Sequence, residues 1–139
     1  MTATVLSRVV DRIDAVLQAA LAGHSQVWRD RADAVCIDEA PGVNVLPRQG
    51  NSTPFSAELD TDELELELRF YVRAEGGTPA VEALHKLAHD ALYADAQLLA
   101  LVDSIRRLGS TFDHHPADTT SVIKSVNYRL LYQTPTKTL

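Results

Sequence analysis

The chain has 139 residues, 45% of them hydrophobic and 23% charged, with a net charge of −6 and a pI near 5.2. That length and mix suit one globular domain that folds without a disulfide or a metal, and the single cysteine, Cys36, excludes an intramolecular disulfide. The acidic balance argues against a general nucleic-acid binder; with no long apolar run and no signal-like leader, a soluble chain made in the cytoplasm is expected.

Residues 4–22 open the chain with an amphipathic helix. Leu6, Val9, Val10, Ile13, Val16, Leu17, Ala20 and Leu21 recur at helical spacing, while Arg8, Asp11, Arg12, Asp14 and Gln18 fall opposite. Thr2 or Thr4 is the expected N-cap and Gly23 the C-cap. Val27-Trp28-Arg29 reads as a short strand. Val43–Leu46 reads as another, stopped by Pro47, with a further strand possible at 34–37 and a turn at Pro41-Gly42. Residues 48–56, "RQGNSTPFS", have the composition of an exposed loop. Asn51-Ser52-Thr53 forms a glycosylation sequon, which has no meaning without secretion.

Residues 57–74 carry the clearest β signal. Leu64, Leu66, Leu68, Phe70 and Val72 share one parity; Glu65, Glu67, Arg69, Tyr71 and Arg73 share the other. Gly76-Gly77 ends the strand, and Thr78-Pro79 opens a second helix running to about Tyr93. Its stripe is Val81, Leu84, Leu87, Ala88, Ala91 and Leu92. "ADAQLLAL" adds a short turn capped by Asp95. Strands follow at 104–112 and 119–134, joined by a turn at 113–118. Val126, Tyr128, Leu130 and Tyr132 share one face of the last strand, which Pro135 ends.

This order predicts an α+β fold: a mostly antiparallel sheet of four to five strands with two helices on one face. Two helices of this length cannot cover both faces. The second face is therefore expected to meet water or another chain.

Each chemical candidate has a plain alternative. His85 and His89 are four residues apart on the second helix and could chelate a metal with Asp113, His114 and His115. No glutamate follows the first histidine as a zinc-protease helix requires, so solvated or helix-flank histidines are expected. Cys36 has no basic neighbours and reads as a structural thiol. No nucleophile elbow, phosphate loop or dinucleotide fingerprint is present, and Gly76-Gly77 reads as a hinge. Glu58, Asp60, Asp62, Glu63, Glu65 and Glu67 crowd ten positions; a solvated strand face and a protein interface are the two readings left open. Ten of the 13 basic residues are Arg, which suits bidentate pairing at interfaces. Trp28 fits a core or an interface equally.

In layout the whole chain, from about residue 4 to Pro135, resembles the tail-terminator (tail-completion) proteins of long-tailed phages, related in fold to the lambda minor tail protein that caps the tail. The resemblance lies in the opening helix leading to "VWRDRAD", the strand "VNVLPR", the long strand ending "FYVRAEGG", the helix "TPAVEALHKLAHDALYADAQL" and the closing "NYRLLYQTP". The long polar stretch 48–56 departs from the family pattern, as does Ala96 where a proline is usual.

The resemblance implies a structural virion protein that is not an enzyme and needs no cofactor. It would form a homo-oligomeric ring, expected to be a hexamer, at the tail–neck junction. The ring would end tail-tube polymerisation and bind the tail tube protein and a neck or head-completion protein. No membrane and no specific nucleic-acid binding are expected, though DNA would pass through the lumen. A head-completion or neck connector, a small metal-dependent enzyme and an oligomeric ligand-binding domain remain alternatives. The expected subunit or lumen surface is Glu65, Glu67, Arg69, Tyr71, Arg73 and Arg129. The expected docking loop for tube or neck is Arg48, Gln49, Asn51, Ser52 and Thr53.

Overall fold

The computed structural model describes residues 4–33, 35, 39–73, 77–115 and 118–138. Helix α1 spans Val5–Ala20. Thr4 caps it by accepting from the Ser7 N–H at 3.0 Å. The C-cap is Leu21, two residues earlier than expected, and Gly23, at a φ of +79°, turns the chain onward.

Five strands make one sheet: β1 (Gln26–Arg29), β2 (Gly42–Pro54), β3 (Leu59–Arg73), β4 (Ser104–His115) and β5 (Asp118–Pro135). Their order is β1-β2-β3-β5-β4. The β1–β2 pair is parallel and the other three pairs are antiparallel. Helix α2 (Gly77–Ala94) and the short α3 (Ala96–Leu101) complete the α+β fold. Asp95 caps α3 by accepting from the Leu98 N–H and also takes a bidentate pair from Arg12 at 2.6 and 2.8 Å. Arg12 thereby holds the Asp95 carboxyl below its ordinary range.

The core lies between the helices and one sheet face. Leu64, Leu66, Leu68, Phe70 and Val72 of β3 and Val126, Tyr128, Leu130 and Tyr132 of β5 are all buried, as their parity predicts. They meet Val9, Ile13, Val16 and Leu17 of α1 and Val81, Leu84, Ala88 and Leu92 of α2. Leu6 and Leu87, counted in the helical stripes, are exposed, and His85 is buried instead.

Two segments differ from the reading of their composition. Residues 48–54 are strand: β2 runs past Pro47 to Pro54 and pairs with β3 as far as Asp60. A register shift between Pro47 and Gln49 takes up Arg48 and lets the ladder resume. The long partner strand imposes the extended conformation, overriding local propensity. Only residues 55–58 turn, held by Ser56, whose hydroxyl accepts from the N–H groups of Glu58 and Leu59. Likewise the 113–118 turn is mostly ladder, since His114 pairs with Val122 and His115 with Asp118. The possible strand at 34–37 and Cys36 lie outside the described residues, apart from the buried Val35.

Candidate assembly surface and a buried polar chain

The odd-numbered parity of β3 forms the middle of the second sheet face. Cross-strand registers place Gln49, Glu65, Arg129 and Arg106 in one row from β2 to β4. Asn51, Glu63, Leu131 and Ser104 make the next row. The helices pack on the opposite, core face, and Glu63, Glu65, Glu67 and Arg69 are half-buried.

The predicted surface residues divide into two groups. Glu67 is paired within the chain: it takes Arg69 at 2.7 Å and Arg48 at 3.1 Å. Arg48, placed by composition in a docking loop, thus belongs to the same ionic cluster as Glu67. Glu65 and Arg129 stand opposite each other, yet neither makes an ion pair among the described residues. Arg129 also faces Arg106 across the β4–β5 ladder, a like-charged pair that weakens a sheet. Arg73 is exposed at the end of β3. Asn51 and Ser52, on the other half of the expected loop, line a pocket of about 250 Å³ with Thr4, Leu6, Asp62 and Tyr132.

One corner of this face is covered by the chain itself. Trp28 stands edge-on to Tyr71, with ring centroids 6.1 Å apart, and the Arg31 guanidinium lies 4.9 Å over the indole. Asn44, almost fully buried, binds the backbone of Arg31 twice: its Oδ1 accepts from the N–H and its Nδ2 donates to the carbonyl. Arg31 also pairs with Glu39. Gly42 makes room for this corner, because a Cβ there would sit 2.0 Å from the Trp28 ring. Tyr71, expected on a subunit or lumen surface, is half-buried beside Trp28.

On the core side, α2 and β5 share a chain of polar groups. Lys124, only 4% exposed, lies 2.5 Å from Glu82 and 2.8 Å from Nδ1 of His85. His85 Nε2 is 2.8 Å from the Tyr128 hydroxyl, and His89 Nδ1 is 2.8 Å from the same oxygen. An ammonium group only donates, so His85 Nδ1 accepts. His85 then carries its proton on Nε2 and donates to Tyr128, and Tyr128 donates to His89. Burial, with Lys124 adding to it, pushes His85 down to about 4. Burial and then Arg107 lower His89 as well, and burial raises the Tyr128 phenol.

The two histidines share a helix face, as their spacing requires, but His85 is neither solvated nor free to chelate. Both its ring nitrogens are engaged. Among the described residues no three His, Cys, Asp or Glu side chains converge as metal ligands. Glu82, Lys124 and Tyr128 carry no motif. The available signal was parity: Lys124 falls on the buried side of β5 with Val126 and Tyr128.

The chain matches no protein-family model and no curated protein. Among solved structures it is similar to a chain of the virion of a native gene transfer agent particle. The two are 14% identical with a TM-score of 0.53, over 90% of this chain and 92% of that one. At that identity the likeness is one of fold.

Proposed function

We propose that this chain is a structural, non-catalytic subunit of a phage-like particle, forming a closed ring at the end of the tail tube. The observation that carries this reading is a sheet with helices on one face and an ionic face left without them, on a fold shared end to end with a virion chain. In a ring of repeated subunits, all such faces point the same way and line a common wall. Glu65 and Arg129 supply ionic groups to that wall, while Glu67 is shared by Arg48 and Arg69 inside each subunit. The tail tube and a neck or head-completion protein would meet the two rims, and DNA would cross the lumen. Six copies are expected in the ring, as the resemblance to tail terminators implies.

The test is genetic and structural. Particles made without this chain should show tubes of uncontrolled length and heads not joined to tails, by negative-stain microscopy. A tag on the chain should be found at the tail–neck junction. Normal particles assembled in its absence would refute the reading.

A further inference from the structure

Among the described residues both ends of the sheet are open, and they differ in charge. On one side β1 covers β2 only from Gly42 to Val45, so residues 48–53 have no strand on their outer side among the described residues. Beside this stretch, the β2–β3 hairpin holds Glu58, Glu63 and Glu65, none of which makes an ion pair among the described residues. On the other side β4 is an edge strand of 12 residues. It carries Arg106 and Arg107, likewise without ion pairs among the described residues, and it exposes Leu108 and Phe112 to 46% and 50%. A long open edge with apolar side chains invites another strand.

Strand direction allows the two edges to meet. β2 and β5 run the same way and β4 runs opposite to both. A second copy in the same orientation would therefore bring its β4 antiparallel to β2, with both helical faces on the same side. Level placement is blocked: Ser104 is level with Asn51, so the rest of that β4 would run into β1. The incoming strand must shift toward the hairpin tip. That shift carries Arg106 and Arg107 alongside Glu58 and Glu63. Since alternate residues face alternate sides, the two arginines present cations on both sides of the joined sheet.

We propose that copies of this chain join edge to edge, β4 of one pairing antiparallel with residues 48–53 of β2 in the next, with Arg106 and Arg107 set against the acidic β2–β3 hairpin. This deepens the ring reading and relies on it only for closure of the array.

The test uses two full-length variants, R106E/R107E and E58R/E63R, followed by sedimentation velocity and native mass spectrometry. Each alone should associate about 100-fold more weakly than wild type, since like charges then face each other across the contact. Mixed one to one, they should recover assemblies in which the two variants strictly alternate, because each then offers the sign the other lacks. That recovery also shows that both variants are folded. Variants that assemble like wild type, or a mixture that fails to recover, overturn the edge contact. A wild-type chain that stays monomeric at its highest soluble concentration also overturns it. The ring reading fails separately, through normal particles formed without the chain.

Discussion

His85 is an ionisable group in the core, and the cost of charging it there bears on the behaviour of the fold toward acid. Between about pH 6.5 and about 4, unfolded His85 binds a proton that the folded chain does not. The stability it contributes is whole above that window and is lost as pH falls through it. The loss is on the order of 3 kcal/mol, from a shift between 6.5 and about 4. Urea unfolding followed from pH 7 to pH 4 should show this slope, and His85→Gln should flatten it. Tyr128→Phe removes the hydroxyl that both histidines engage. It should cost about 1–3 kcal/mol in the same assay at neutral pH. At Gly42 the predicted defect is steric: Gly42→Ala forces Trp28 off its seat. A loss of about 1–3 kcal/mol with altered Trp fluorescence is expected.

At the scale of elements, β3 and β2 illustrate what can be read from residues alone and what cannot. The alternation in β3 marks its buried side because Leu64, Leu66 and Leu68 have no other apolar face to meet. Residues 48–54 of β2 offer Gly, Asn, Ser, Thr and Pro, which suit a loop; their strand exists because β3 is long enough to pair with them. Deleting residues 49–53 should thus lower thermal stability measurably, where a true surface loop would tolerate it. The pairing of Glu82 with Lys124 was hidden for a related reason: it joins residues 42 apart, and a lone lysine in a strand ordinarily faces water. The α+β layout and both helices were legible from periodicity. The polar chain between α2 and β5 required the third dimension.

For the whole molecule, the decisive property is the difference between its two sides. Helices α1 and α2 close one side into a core, while the other carries charges balanced partly within the chain and partly not. Assembly through unbalanced surface charge is sensitive to screening. Raising salt at neutral pH should therefore shift sedimentation toward smaller species, and the wild-type chain at low salt should give the largest. The apolar core should be indifferent to the same change, so unfolding midpoints and assembly size should respond differently.

Because β1 is so short, it would act as a stop in the slot beside β2: it ends at the level of Val45 and, among the described residues, leaves only the distal stretch free. A neighbour entering that slot has to sit displaced along the strand direction. Repeated around an array, each step adds the same displacement, so the strands cannot stand square to the line of subunits and must lean. Inclined strands with a fixed stagger are the condition under which a sheet curls and closes on itself. A four-residue strand would thus set the pitch and the diameter of the wall that larger strands build.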